Sequence, residues 1–270
     1  MSRGRALVVA GLAAGLAYAA RRTLPEHERV RWGRTSFTGA PITLLEGPAL
    51  AVGVLAGLAA SGEPGAGGAA VAVAGSALSG ALDDLAGDAS AKGLKGHLGA
   101  LRRGEVTTGA LKILGIGASA LAGTWQADRG SGRGALDTVV GAGVVAGAAN
   151  VANLLDLRPG RALKAAALIG LPLMASRRPG ASVAAAAIGS GMGVVRPDLR
   201  GESMLGDTGA NAVGAAIGSA LAQRLGVRGR LVALAAVTGL TLASERVSFT
   251  AVIERTPGLR EIDRWGRTPR

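Results

Sequence analysis

The segment LDDLAGDASAKGLKGHLGAL, residues 82–101, sets Asp83, Asp84 and Asp88 at the end of an apolar run and follows them with Lys92, Lys95 and His97. On a helix continued through this stretch Asp84 and Asp88 stand one turn apart on one face, with Asp83 rotated by about 100°. Like charges at that spacing repel, and a divalent cation reverses the sign of the interaction. Mg²⁺ takes one or two carboxylates and completes its shell with water and phosphate oxygens. The chemistry suggested is therefore the handling of a phosphorylated substrate, with Lys92 and Lys95 as phosphate partners. The plain alternative is a capped helix end followed by a basic loop on anionic lipid.

Two further polar clusters interrupt apolar sequence. In NVANLLDLRPGRALK, Asn150, Asn153 and Asp156 fall within about a 120° arc of helix surface. Such amides either tie helix ends together or offer donors and acceptors to a sugar or base. In RPDLRGESMLGDTGANAVGAAIG, Asp207 sits in a Gly-flanked turn. There Gly206 and Gly209 let backbone amides approach an anion, and Asp207 can N-cap the helix that follows.

Elements that must position these clusters are legible in the hydropathy. Apolar stretches recur at about 5–20, 44–61, 66–82, 106–124, 134–152, 162–176, 180–195, 209–224 and 229–245, separated by charged, Pro-bearing or Gly-rich links. The chain is 49% hydrophobic but only 2% aromatic, and its 45 Gly suit closely packed membrane helices better than a soluble core. Absence of Cys excludes a disulfide scaffold and a thiol nucleophile. The net charge of +12 comes without a basic helix or stacking platform, so nucleic acid is not an expected partner. The expected fold is an all-α polytopic integral membrane bundle of about nine transmembrane helices over 1–245, with an amphipathic tail at 246–270 lying on the cytoplasmic leaflet.

If alternate links face one side, those at 21–43, 83–105, 153–161 and 196–208, with the tail, hold about two thirds of the 30 Lys and Arg and are cytoplasmic. All three polar clusters fall on that side. Arg3 and Arg5 run against the rule. A cleaved signal peptide, MSRGRALVVAGLAAGLAYAA, would remove the conflict, but an uncleaved first helix is the preferred reading because membrane segments keep following it.

The ordered clusters resemble the polyprenyl-phosphate N-acetylhexosamine-1-phosphate transferases, the integral-membrane family that includes phospho-N-acetylmuramoyl-pentapeptide transferase. The family's acidic pair matches Asp83–Asp84, its N-x-x-N-x-x-D-G-x-D-G-x-A motif matches Asn150 to Ala162, and its G-D-x-G-S matches Gly206 to Gly209. GAPITLLEG at 39–47 is similar to the Gly-Pro-Gly-Gly stretch that opens the family's second helix, with Glu46 in place of a glycine. Glu245 and Ser248 resemble its late Glu and Ser.

The resemblance implies transfer of a sugar-1-phosphate from a nucleotide sugar, expected to be UDP-linked, to a polyprenyl phosphate, with Mg²⁺ as cofactor, at the cytoplasmic face of the cell membrane. It assigns Asp83 or Asp84 as base or orienter of the lipid phosphate. Asp84 and Asp207 become metal ligands, and Lys92, Lys95, Asn150, Asn153 and Asp156 bind substrate. A homodimer is left open.

Departures from the pattern bear on the donor. Leu157 replaces a Gly, Pro159 replaces the second Asp, which in the family belongs to base recognition, and Arg161 follows the retained Gly160. The His-rich segment that several members carry near the C-terminus has no counterpart; His27 and His97 read as solvated loop residues. These departures favour a second reading, a catalytically degenerate relative serving as a membrane partner or scaffold in envelope assembly. An unrelated transporter would show paired broken helices in two halves, and none is seen. CDP-alcohol transferases use a D-G-x-x-A-R run, whose Gly and Arg DASAK lacks.

Overall fold

The computed structural model describes residues 2–37, 39–86, 107–129 and 131–268. Among the described residues nine long helices carry the architecture: α1 (Ser2–Ala20), α3 (Glu46–Ser61), α4 (Ala66–Ala86), α5 (Thr108–Asp128), α6 (Ala135–Leu155), α7 (Arg161–Ala175), α8 (Ala181–Leu199), α9 (Gly206–Arg224) and α10 (Val227–Ser244). Each coincides with one apolar stretch of the sequence. Short pieces complete the described elements: a 3-10 turn (Arg21–Thr23), α2 (Glu26–Arg31), a hairpin of β1 (Gly33–Thr35) and β2 (Pro41–Thr43), and α11 (Phe249–Arg255) and α12 (Leu259–Arg264) in the tail.

Three of the helices, α4, α6 and α10, are long and apolar enough by length and composition to cross a membrane. Large apolar side chains stay exposed around the outside, among them Leu12, Leu16, Leu78, Leu114, Val139 and Val232. Buried residues of α10 are limited to Arg230. So much exposed apolar side chain is compatible with membrane association.

Helix α9 lies at the centre, packed on by α3, α4, α6, α7 and α8. Its sequence, GDTGANAVGAAIGSALAQR, is small on every side, and nearly all of it is buried. A helix without a bulky or charged face can be surrounded completely. Small residues set the other contacts too. The parallel pair α1 and α8 meet through Gly11, Gly15, Gly189 and Gly193, where a Cβ on Gly193 would lie 2.5 Å from the Gly11 carbonyl oxygen. A Cβ on Gly53 would lie 2.6 Å from the Ala14 Cβ, on Gly57 2.7 Å from the Ala6 oxygen, and on Gly75 2.7 Å from Ser119 Oγ. On Gly141 it would lie 2.8 Å from Arg230 Nη1, and on Gly214 2.6 Å from the Ala149 Cα. Close backbone approach of this kind supplies dispersion contact where bulky side chains are scarce.

At one end of the bundle an ion pair locks α5, α6 and α10 together. Arg230, fully buried, donates to both carboxylate oxygens of Asp128 at 2.7 and 2.8 Å, and Arg133 and Thr138 complete the network. The opposite end carries the acidic residues singled out in the sequence.

Two features add to what the sequence suggests. GAPITLLEG forms β2 before the helix begins; Pro41 pairs with Thr35 across the hairpin, where a residue without an N–H is tolerated. The tail, expected to lie on the leaflet, is also fastened to the protein. Asp263 is 7% exposed and accepts from Arg161 Nε at 2.8 Å and Nη2 at 3.2 Å and from Arg267 Nη2 at 2.6 Å. A buried carboxylate needs such partners, and Arg161 at the start of α7 supplies two of the donors.

Candidate functional site at the start of the central helix

The first turn of α9 has free backbone N–H groups that something must satisfy. Gly206 takes φ +60°, a conformation that favours glycine, and donates its N–H to Asp156 Oδ2 at 2.9 Å. The Asp207 N–H donates to Asp84 Oδ1 at 3.0 Å. Thr208 donates its N–H to Asp84 Oδ2 at 2.9 Å and its hydroxyl to the same oxygen at 2.6 Å. The helix is thus capped by a carboxylate from α4, with Leu205 at the N-cap position itself. This corrects the expectation that Asp207 caps its own helix: the cap comes from a different element, which leaves the Asp207 side chain to turn elsewhere.

It turns to Lys112. The Lys112 ammonium pairs with Asp207 Oδ2 and, at 2.7 Å, with Asp83 Oδ2. Both carboxylates and the ammonium remain partly open to solvent. Lys112 lies on α5, inside an apolar stretch, and an isolated ionisable residue there is itself a signal that the sequence reading passed over. Arg34 of the hairpin donates to the Asp84 carbonyl and ties β1 to the end of α4.

Asp156 closes α6 as its C-cap residue and is 4% exposed. Burial pushes its carboxyl well above the usual carboxylate range; the charge of Asp198 adds to this, the Gly206 N–H opposes it, and Asp207 and Asp84 add further. Behind it lie two more buried acids, Asp198 and Glu46. Glu46 Oε2 accepts from Ser203 Oγ at 2.5 Å, while Glu46 Oε1 has no partner among the described residues.

Asp83, Asp84, Asp156 and Asp207, drawn from two helices and the C-cap of a third, therefore meet around Gly206. Asn150 does not join them: its Nδ2 donates to Thr241 Oγ1 of α10 at 3.0 Å, the bland interhelical role. Asn153 serves the C-cap through its carbonyl, which accepts the Asp156 N–H at 3.2 Å. Asp88, Lys92, Lys95 and His97 lie outside the described residues.

Among the described residues no group of three acidic or histidine side chains is arranged to hold one ion. Both oxygens of Asp84 are occupied by backbone and hydroxyl donors. The pair of carboxylates left to face a cation is Asp83 and Asp207, and the Lys112 ammonium stands between them.

A cavity of about 380 Å³ adjoins this site. The hairpin supplies Phe37 and Ile42, the turn after α6 supplies Asp156 and Arg158, and Ser203 and Arg267 come from the link before α9 and from the tail.

No family model matches the chain. No curated protein and no solved structure matches it either.

Proposed function

We propose that the protein is a Mg²⁺-dependent phosphoglycosyl transferase that moves a sugar-1-phosphate from a nucleotide sugar to a polyprenyl phosphate in cell-envelope glycan synthesis. The observation that carries this reading is the meeting of Asp83, Asp84, Asp156 and Asp207 at the N-terminus of α9, with Lys112 among them. The nine long helices are read as crossings, and the links holding the acids, rich in Lys and Arg, as cytoplasmic.

In the reaction an oxygen of the lipid phosphate attacks the phosphorus that carries the sugar. The bond from that phosphorus to the bridging oxygen breaks, and its electron pair leaves with the nucleoside monophosphate. Asp83 and Asp207 are the residues that would hold Mg²⁺ on the donor diphosphate, where the ion neutralises charge. Lys112, free to exchange its carboxylate partners for phosphate oxygens, stabilises the charge that builds on the leaving group. Asp83 orients the acceptor phosphate. Asp84 acts as a positioning residue, because its hydrogen bonds hold the Asp207 backbone.

Purified protein in lipid nanodiscs, given Mg²⁺, undecaprenyl phosphate and a panel of nucleotide sugars, is expected to release nucleoside monophosphate. No release with any donor overturns the reading. A second reading, a non-catalytic relative that acts as a scaffold, is favoured by Lys112 lying where a cation between Asp83 and Asp207 would stand. It predicts that Asp207→Asn leaves cell growth unchanged while deletion of the protein does not.

A further inference from the structure

The 380 Å³ cavity owes one wall to the last residues described in the chain. Arg267 and Thr268 reach it because Asp263 is gripped by Arg161, because Arg267 Nε donates to the Pro159 carbonyl at 2.8 Å, and because the Thr268 N–H reaches the Leu199 carbonyl at 3.4 Å. Lys164 adds a 2.6 Å hydrogen bond to the Asp263 carbonyl. A buried ion pair is an expensive way to fasten a chain end unless position matters. Here it fixes residues 263–268 across the opening between the turn after α6 and the link before α9.

The lining suits a particular chemistry. Three guanidinium groups, Arg158, Arg200 and Arg267, stand on the wall, and among the described residues Arg267 alone of them is paired with a buried carboxylate. Arg158 instead lies 3.7 Å above the Phe37 ring. Guanidinium groups bind phosphate oxygens in pairs, and planar guanidinium and aromatic surfaces are ones on which a nucleobase stacks. The volume falls within the range of pockets that enclose small organic ligands, about 300–1,000 Å³. Asp156 is shared between this cavity and the start of α9, so a diphosphate leaving the cavity along that wall runs toward Asp207 and Lys112.

We infer that the cavity takes a nucleoside diphosphate, and that the docked C-terminal strap, through Arg267 and Thr268, is part of its recognising wall. Identification of that nucleotide as the nucleoside diphosphate part of the intact donor rests on the transferase reading; binding itself does not.

The test uses full-length protein in nanodiscs with Mg²⁺ and no lipid acceptor, titrated with UDP, CDP, ADP, GDP and inorganic pyrophosphate. At least one nucleotide is expected to bind, with pyrophosphate weaker by about tenfold or more because it lacks a base to stack. Arg267→Ala is expected to weaken that nucleotide by about tenfold, the effect of losing one charged hydrogen bond. Trypsin cleavage after the exposed Arg264 should slow when the nucleotide is added to wild type and not when it is added to R267A. Arg161→Leu should act like R267A; if that variant fails to fold, removal of residues 257–270 takes its place. Failure of every nucleotide to bind, pyrophosphate binding as tightly as the nucleotides, or unchanged affinity in R267A each overturns the inference. Strap-dependent binding without transfer from any donor sinks the transferase reading and leaves the cavity assignment standing. Transfer that survives loss of the strap undiminished does the reverse.

Discussion

Asp84 holds Thr208 twice, through its backbone N–H at 2.9 Å and its hydroxyl at 2.6 Å, and so one helix end caps another across 124 residues of chain. The contact is buried, and it lies within one residue of both Asp83 and Asp207. Stability and site geometry are coupled through that carboxylate.

Replacing Asp84 should therefore cost both. Asp84→Ala leaves three donors without an acceptor, and the expected loss is about 2–4 kcal/mol, above a single solvent-exposed cap. Asp84→Asn keeps one acceptor oxygen and should lose about half as much. Thermal unfolding in detergent ranks them; a D84A protein as stable as wild type would show that the cap does not hold the helix.

Asp207→Asn should behave differently. Its side chain faces Lys112 and not the helix cap, so unfolding should shift little while transfer falls by about a hundredfold or more, the scale of losing one charge-handling group. Parallel measurement of turnover and melting separates the two acids. Equal loss of stability in D207N and D84N contradicts the division of roles.

Lys112→Met removes the cation shared by Asp83 and Asp207. The two carboxylates then repel, and stability should become dependent on divalent ion: lower than wild type in chelator and restored by millimolar Mg²⁺. A melting temperature indifferent to Mg²⁺ in this variant argues against an ion between the two acids.

The strap should be acid-labile. Burial by itself would raise the Asp263 carboxyl; hydrogen bonding and charge from Arg161, with Arg267 and Lys164, outweigh that and hold it below its usual 3.8. A lowered folded value means the stabilisation is fully present above the unfolded value, near 3.8, and is lost as the pH falls through the lower one. Hydrogen exchange of the 259–264 amides, corrected for intrinsic rates, should stay slow from pH 7 to about 4 and quicken below it. Arg161→Leu should exchange fast throughout; protection in that variant at neutral pH would show that the ion pair is not the fastening.

Packing predicts a contrast between two glycines. Gly193→Leu drives a side chain into the Gly11 carbonyl and should cost more than the usual overpacking range of about 1–3 kcal/mol, seen as lost folded yield. Gly117→Ala meets nothing within 4 Å and should be neutral or stabilising by up to about 1 kcal/mol. Equal tolerance at both positions would contradict the close approach of α1 and α8.

Much of the framework follows from the order of apolar runs. Nine of them, joined by mostly short links, make successive helices alternate in direction, and that alternation alone puts the ends near residues 83, 156 and 207 on the same side of the bundle. The Gly content likewise foretells helices packed by small residues, as at Gly53 and Gly214. Pairing of helices and rotation about their axes are another matter. The core is built of Ala, Gly and Val on nearly all sides, so hydrophobic periodicity gives each helix little directional preference. Only tertiary packing turned Asp84 inward to cap α9 and Asp207 outward to Lys112, sent Asn150 to Thr241, and folded the tail onto Arg161. Each of those outcomes depends on a partner far along the chain, and no local pattern encodes which distant donor a buried carboxylate will find.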